Sequence, residues 1–304
     1  MARMTKSSPP PADDTRDSRL FKLLRRWLAG RTGMRSKHGA NLALDILAEN
    51  GVTEIAVTRG SGPAVHVLTR DKVIASAVVR EGSFGREIMD ALATRLHGAG
   101  LQPSSLAFVN VGANIGLTCL NAHAAGFRKL YAIEPEPENF RLLSLNMRDL
   151  AGEVHTINAA VGAAKGRAQL HRHETNLGAH SLVAGAVSAA RAAGSVEVAV
   201  EPLAALYSGS EPFVLFIDVE GFEPQVIAGA GEAIARNCAA IVLEVTPSRY
   251  EPQDARALAA TLATFADRFT VLPSNATRPA CDLAALICDR HQKQVDIALL
   301  RRGL

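Results

Sequence analysis

The sequence predicts an α/β fold in which a doubly wound, mostly parallel sheet follows a small N-terminal α/β extension. From residue 106 onward, apolar segments alternate with amphipathic ones, which predicts strands at 106–111, 129–133, 154–158, 213–217 and 239–245 and helices at 114–125, 137–150, 223–236 and 254–267. Strands that alternate with helices across short turns are typical of parallel sheets with crossover helices. The stretches "RFTVLP" and "VDIALLRR" predict two further strands, so the main domain is expected to span 106–304.

The residues before this domain divide into three predicted segments. Residues 1–17 are polar and Pro-rich, which is typical of a disordered tail. Residues 18–40 predict a basic amphipathic helix and a linker, with the apolar and basic faces of the helix within 18–30. Residues 41–105 predict the extension, with a helix at 41–50, short strands at Thr53–Val57, Ala64–Leu68 and Val73–Val79, and a helix after residue 85.

The charge of the chain is concentrated near its N-terminus. Residues 1–40 hold ten Lys and Arg and three Asp, a net charge of +7, whereas the other 264 residues carry a net charge of −4. The acidic body argues against a nucleic-acid-binding protein. A basic amphipathic helix at 18–30 is expected either to contact an anionic membrane surface or to dock on the protein itself. The sequence does not indicate an oligomeric state.

The remaining composition predicts a cytoplasmic protein, peripheral to the inner face of a membrane if residues 18–30 bind lipid. Hydrophobic residues make up 48% of the 304 residues, but no run of about 18 apolar residues lacks a polar interruption. The N-terminus lacks the pattern of a signal peptide. The four cysteines of the chain form no Cys-x-x-Cys pair, so free thiols are expected.

A glycine turn, "VNVGANIG", follows the first predicted strand of the main domain. Gly112 lets the chain turn without a Cβ against a ligand, Gly116 permits close helix packing, and Asn114 is a candidate helix cap. Glu134 ends the next predicted strand, 22 residues after Gly112. That position suits a carboxylate that binds two ribose hydroxyls.

The turn lacks the elements that hold phosphates. The dinucleotide fingerprint G-x-G-x-x-G needs a middle glycine, which is absent here, and no P-loop Lys-Ser/Thr follows. A ligand with a ribose and no phosphate therefore fits, and S-adenosylmethionine (SAM) is the common one. The alternative is a turn that serves only the geometry of the fold.

Several stretches together resemble the FkbM-family methyltransferases: "FVNVGANIGLTCL", "YAIEPEPENFRLLSLN", "NAAVGAAKGRAQL", "GAHSL" and "LFIDVEGFEPQVIAGA". The resemblance implies a class I methyltransferase (Rossmann-like) fold and SAM-dependent O-methylation of sugars, lipids or other natural products. It also implies a set of cofactor-binding residues, namely Gly112, Ala113, Asn114, Gly116, Glu134, Asn158 and Ala159.

One position departs from the family pattern, which usually begins "DVGANIG". Asn110 stands where the family has Asp, and an acid there can help to hold the ammonium group of the methionine moiety. Asn keeps a hydrogen-bond acceptor but brings no charge. Asn110 is therefore included among the expected cofactor-binding residues, with a weakened cofactor site as one consequence.

The stretch "FIDVEGFEPQ" carries the main catalytic candidate, Asp218, directly after a predicted strand. Asp218 is expected to act as a general base or to hold the acceptor hydroxyl. It could instead ligate a divalent cation together with Glu220, or cap the following helix. Glu220 is also a secondary catalytic candidate.

His180 in "GAHSL" is the third catalytic candidate, since an imidazole there could take a proton. The alternative is a solvated loop histidine. His171 and His173 lack a third ligand nearby, so no histidine metal site is predicted. Glu244 at the end of a strand could line the substrate pocket or serve only the backbone.

The predicted function is therefore a SAM-dependent O-methyltransferase that acts on a small-molecule, sugar or lipid-linked acceptor. Two alternatives remain at this point. One is a nicotinamide-dependent oxidoreductase on a Rossmann-like sheet, against which the missing glycine argues. The other is a catalytically inactive binding module on the same fold.

Overall fold

The computed structural model describes residues 36–58 and 63–303. The tail predicted at 1–17 and the amphipathic helix predicted at 18–30 lie outside these residues. The first described helix begins at Lys37, within the segment predicted as a linker.

Helices and strands alternate along most of the described chain. The helices are α1 (Lys37–Glu49), α2 (Ile74–Glu81), α3 (Arg86–Gly98), α4 (Leu117–Ala124), α5 (Pro137–Met147), α6 (Leu203–Leu206), α7 (Glu223–Asn237), α8 (Pro252–Phe265) and α9 (Leu283–Ile287). The strands are β1 (Glu54–Val57), β2 (Val65–Leu68), β3 (Ala107–Val111), β4 (Lys129–Ile133), β5 (Glu153–Ile157), β6 (Ala160–Val161), β7 (Gly166–His173), β8 (Ala192–Glu201), β9 (Phe213–Ile217), β10 (Cys238–Val245), β11 (Arg268–Leu272), β12 (Ala276–Pro279) and β13 (Val295–Leu300).

The main sheet has the order β12-β11-β13-β10-β9-β3-β4-β5 within the described residues. The five strands from β10 to β5 are parallel, and β13 pairs antiparallel with both β10 and β11. The strand order reverses between β3 and β9, because β4 and β5 extend to one side and β10 to the other. Open α/β sheets bind ligands outside the carboxyl ends of the strands at such a point. The doubly wound, mostly parallel sheet predicted from the sequence is confirmed.

Two apolar cores cover the two faces of this sheet. On β3, Val109 and Val111 face one core, which contains residues of α7 and α8. Phe108 faces the other core, which contains residues of α3, α4 and α5. This alternation follows from the two-residue period of a strand. Because both faces are covered, the central strands are continuously apolar, as in other buried parallel sheets.

The N-terminal extension contains the β1–β2 hairpin and the helices α1 and α2. The prediction of a strand at Val73–Val79 is wrong, because this segment forms α2. The carboxylate of Asp71 accepts the N–H groups of Val73 and Ile74, and Gly82 ends the helix in the left-handed conformation. Capping and the burial of five consecutive residues, Ile74 to Val78, thus override the strand preference of a Val- and Ile-rich stretch.

A three-stranded sheet of order β6-β8-β7 stands apart from the main sheet. Its long strands β7 and β8 pair antiparallel, with Gly166 opposite Val200 and His171 opposite Ser195. The connection between them contains residues 174–183, called the strap below. No helix in the described part of the chain is both long and apolar enough to cross a bilayer.

Candidate active site

A cavity of ≈ 320 Å³ lies where the strand order reverses. The residues that directly follow β3, β4 and β9 are Gly112, Glu134 and Asp218, and all three line it. Parallel strands present their carboxyl ends at one edge of the sheet, which is why residues so distant in sequence meet.

A glycine is needed at position 112 because the backbone of Asp218 lies against it. Its φ of 84° lies in the left-handed region, and a Cβ on this residue would lie 1.8 Å from the backbone oxygen of Asp218. The expectation that the glycine makes room for a ligand is therefore corrected, since it makes room for the turn after β9. Gly116 does not line the cavity; a Cβ there would lie 2.9 Å from Leu143 Cδ1, so this glycine serves helix packing.

Asn114 connects three parts of the site. Its backbone N–H donates to Glu134 Oε2 at 2.8 Å, and its Nδ2 donates to the backbone oxygen of Leu177 in the strap at 2.8 Å. Its φ of 49° is unusual for a residue with a side chain. Asn114 does not cap α4, which begins later, at Leu117, without a side-chain cap. Ala113, beside it, lines the cavity as predicted.

The Glu134 carboxylate is buried and fixed in orientation by the backbone. Oε2 accepts from the N–H of Asn114, and Oε1 accepts from the N–H of Glu136 at 2.9 Å. Burial raises the pKa of Glu134 to about 7, and the negative charges of Glu136 and Asp218 act in the same direction. A carboxylate oxygen has two lone pairs, so each oxygen can accept one further hydrogen bond from a ligand hydroxyl.

Of three further residues predicted to bind the cofactor, two lie outside the cavity lining and one lies within it. Asn110 is fully buried and lies outside the cavity lining, with its Nδ2 donating to Cys119 Sγ at 3.4 Å. Strand alternation turns it toward the core that contains α4, away from the ligand edge. Asn158 lies outside the lining too and donates to the backbone oxygens of Glu134 and Pro135. Ala159, in contrast, lines the cavity.

Carboxylates gather on the side of the cavity formed by β9, β10 and β13. One oxygen from each of Asp218, Glu220 and Glu244 lies within 4.8 Å of the other two. Asp296 pairs with Glu244 across the β10–β13 ladder.

The pKa values of Asp218 and Glu244 are raised. Burial raises the pKa of Asp218 to about 7, with Glu223 and Asp296 adding to the effect and Arg249 opposing it. Burial likewise raises the pKa of Glu244 to about 9, and the negative charges of Asp218 and Asp296 add to it. Groups with such shifts in a cavity are candidates for proton transfer.

The turn after β9 is held rigidly by other side chains. Glu223 Oε1 accepts the N–H groups of Val219 and Gly221 at 3.3 and 3.1 Å. The α7 helix has no side-chain cap, so the alternative role of Asp218 as its cap is excluded. Glu220 has a φ of 57° and forms an ion pair with Arg249. The Glu220 carboxylate is thus already engaged by a cation.

The strap crosses the cavity from the glycine turn to the turn after β9. At one end, the backbone oxygen of Leu177 accepts hydrogen bonds from Asn114 and Asn139. At the other end, Ser181 Oγ donates to the backbone oxygen of Glu220 at 2.7 Å. His180 lies between these contacts and lines the cavity.

His171 and His173 both lie in β7 and contribute to the structure of the strap. His173 Nδ1 accepts the backbone N–H groups of Thr175 and Asn176 at 3.2 and 3.1 Å, which shapes the start of the strap. His171 forms a backbone bridge with Ser181. Their side chains do not form part of a metal-ligand cluster within the described residues.

Some cavity residues carried no recognisable signal in the sequence. Leu177 and Arg249 line the cavity, and Asp296 lies behind it, but each comes from an irregular segment or a strand whose position in the sheet was unknown. Phe84 is 46% exposed and also lines the cavity, although it lies in the N-terminal extension.

Comparisons with known proteins identify one matching family model. The methyltransferase FkbM domain matches residues 110–274. No curated protein matches the chain. Among the solved structures that align with the chain is the magnesium protoporphyrin IX methyltransferase of Synechocystis PCC 6803 with bound SAM. The two chains are 12% identical with a TM-score of 0.39, and the alignment covers 74% of this chain and 83% of the other. The precorrin-6y C5,15-methyltransferase of Geobacter metallireducens GS-15 has 14% identity and a TM-score of 0.36 and covers 69% of this chain and 86% of its own.

The FkbM domain covers more than half of the chain, from the end of β3 to the residues after β11. Most of the residues that line the cavity, and the buried carboxylate after β4, fall within the matched region. The match to a methyltransferase family therefore replaces the alternative interpretation as a nicotinamide-dependent oxidoreductase. The chain belongs to the FkbM methyltransferase family, and it is a SAM-dependent methyltransferase with a class I, Rossmann-like sheet.

Proposed function

We propose that the enzyme methylates a hydroxyl group of a sugar, a glycolipid or another natural product, and that Asp218 is the base or the acceptor-binding group. The observation that carries this proposal is the position of Asp218: it follows β9 at the reversal point, lines the cavity, and has a pKa raised to about 7 by burial. Such a pKa suits a general base near neutral pH.

The residues at the other side of the cavity fit the cofactor. Glu134 offers two fixed carboxylate oxygens, each with a free lone pair, to ribose hydroxyls. Gly112, Ala113 and Asn114 form the adjoining turn, and Ala159 lines the cavity nearby. When bound, SAM supplies a methyl group that is activated by the positive charge of a sulfonium. Asn110, Gly116 and Asn158 would then support this site from outside the cavity.

The proton of the acceptor hydroxyl must leave as its oxygen forms the new bond to carbon. Asp218 can accept this proton in its ionised form, and Arg249 favours that form electrostatically. The turn that carries Asp218 is braced by Glu223, so the carboxylate is positioned before the acceptor binds. Glu220 contributes through its ion pair with Arg249 and the hydrogen bond from Ser181 to its backbone.

A divalent cation is a second candidate for activating the hydroxyl. The cluster of Asp218, Glu220 and Glu244 favours it, because carboxylate oxygens are suitable ligands for Mg²⁺. The ion pair between Glu220 and Arg249 disfavours it, since a cation would have to displace the guanidinium. Activity with and without Mg²⁺ or EDTA distinguishes the two mechanisms.

The test uses release of S-adenosylhomocysteine (SAH) with a panel of methyl glycosides, a glycolipid and a polyhydroxy phenol as acceptors. For an accepted compound, Asp218→Asn should lower kcat by about 10²- to 10⁴-fold. The SAH affinity should change by less than about threefold, because Asp218 is assigned to the acceptor. Full activity in Asp218→Asn would exclude a role as base, and Asp254→Asn, on α8, serves as the control.

The pH profile gives an independent test of the same assignment. A base must be ionised, so kcat/KM should rise with pH through about 7 and then level off. Asp296→Asn removes a negative charge that raises the pKa of Asp218, so the rising limb should move to lower pH. If the rising part of the pH profile does not move in Asp296→Asn, the ionisation of a group other than Asp218 controls it.

A lipid-linked acceptor agrees with the basic amphipathic pattern of residues 18–30, which lie outside the described residues. Sedimentation with vesicles that contain phosphatidylglycerol tests this part of the proposal. Binding should be lost on deletion of residues 1–35. Absence of binding by the intact chain, or binding unchanged by the deletion, would contradict it.

A further inference from the structure

The His180 ring in the strap has its two nitrogens in different environments. Nδ1 accepts the backbone N–H of His173 at 2.9 Å. Nε2 has no hydrogen-bond partner among the described residues, and the residue lines the cavity. A neutral imidazole has one N–H and one acceptor nitrogen, so acceptance at Nδ1 places the proton at Nε2.

The surroundings of the ring keep it neutral. Burial lowers the pKa of His180 to about 4, and the positive charges of Arg172, Arg70 and His173 act in the same direction. Glu138 on α5 opposes them, but its carboxylate is already paired with Arg70. At neutral pH the ring therefore has no free acceptor nitrogen with which to take a proton from a substrate.

The ring also lies toward the cofactor side of the cavity. Its charged neighbours Arg70 and Glu138 belong to the region around the start of α5, just after Glu134. The strap is tied to the same region, because Leu177 accepts hydrogen bonds from Asn114 and Asn139.

We propose that His180 is a cofactor-binding residue, whose Nε2–H donates a hydrogen bond to an oxygen or ring nitrogen in the nucleoside half of SAM. This inference rests on the proposed function only in placing the ribose against Glu134. It replaces the prediction of His180 as a base, and it makes the strap part of the cofactor site. The strap would then order against the glycine turn and the bound nucleoside together.

Two substitutions separate the functions of the two ring nitrogens. In His180→Asn, Oδ1 can replace Nδ1 as the acceptor for the His173 N–H, while the donor at Nε2 is lost. In His180→Gln, the amide N–H₂ can reach the Nε2 position, while the anchor at Nδ1 is lost. His171→Asn, on the same strand-strap junction but outside the cavity lining, is the matched control.

The experiment is calorimetric titration of each full-length protein with SAH, together with melting temperatures. His180→Asn should melt close to the parent protein but bind SAH about 3- to 10-fold more weakly, as expected for one neutral hydrogen bond. His180→Gln should recover part of this affinity, and His171→Asn should bind like the parent. Nitrogen-15 NMR of the parent protein should show the Nε2–H tautomer of His180 at neutral pH.

Two results would overturn the assignment. Unchanged SAH affinity in His180→Asn, with normal binding by the parent, would refute the hydrogen bond to the cofactor. Loss of kcat in His180→Asn with unchanged SAH affinity, together with loss of the rising limb of the pH profile, would restore His180 as the base. No SAH binding by the parent protein would instead refute the cofactor site as a whole.

Discussion

Gly112 shows how a single residue sets the geometry of the site. Its backbone hydrogen-bonds to the end of β4, since its N–H donates to the backbone oxygen of Ile133 at 3.0 Å. Its missing side chain lets the Asp218 backbone approach from β9. The same residue thus fixes the spacing between the candidate cofactor turn and the candidate catalytic carboxylate.

The Gly112→Ala variant should therefore lose stability and SAH binding together. Both the left-handed φ of 84° and the 1.8 Å approach to Asp218 oppose a Cβ, so a loss of more than about 2 kcal/mol is expected. Gly231→Ala, in the exposed part of α7 where no atom lies within 4 Å, should instead stabilise by about 0.5–1 kcal/mol. Urea unfolding measures both, and equal stability of Gly112→Ala and the parent would contradict this account of the turn.

The positions of some site residues in the fold could be predicted from the sequence, and those of others could not. Glu134 and Asp218 could be placed at the ligand edge because each directly follows a continuously apolar strand. The side of the sheet that Asn110 faces could not be predicted, because a residue within a strand faces one side or the other according to a register that the motif alone does not reveal. Asn110 is buried outside the cavity lining, where its Nδ2 donates to Cys119 Sγ.

At the level of elements, the central strands were predictable and the strap was not. β3, β4, β5, β9 and β10 are apolar enough to be recognised, and their observed ends differ from the predicted ones by at most one residue. The strap has no periodicity, and its position depends on long-range hydrogen bonds such as Ser181 to Glu220. The role of His180 could not be inferred without those contacts, since the tautomer depends on the His173 backbone.

The α2 segment was predicted as a strand but forms a helix. Its Val- and Ile-rich sequence favours a strand, yet Asp71 caps a helix there and Ile74, Ala75 and Val78 pack into a core shared with the glycine turn and the strap. That core also contains Leu177. The N-terminal extension consequently supports the side of the cavity that we propose for the cofactor.

At the scale of the whole molecule, the strand order determines which residues meet. The reversal between β3 and β9 brings together Gly112, Glu134 and Asp218, which are separated by up to 106 positions in the sequence. Alternating strands and helices predicted the class of sheet. They did not predict that β13 inserts between β10 and β11, which places Asp296 beside Glu244 and makes one side of the cavity acidic.

The central claim is that this edge of the sheet holds SAM through Glu134, and calorimetric titration with SAH tests it most directly. The parent protein should bind SAH, and Glu134→Gln should bind about 10- to 100-fold more weakly, because charge-assisted hydrogen bonds to the ribose are lost. Glu153→Gln, at an exposed position at the start of β5, should bind like the parent. Equal affinity of Glu134→Gln and the parent, or no binding by the parent, would contradict the account.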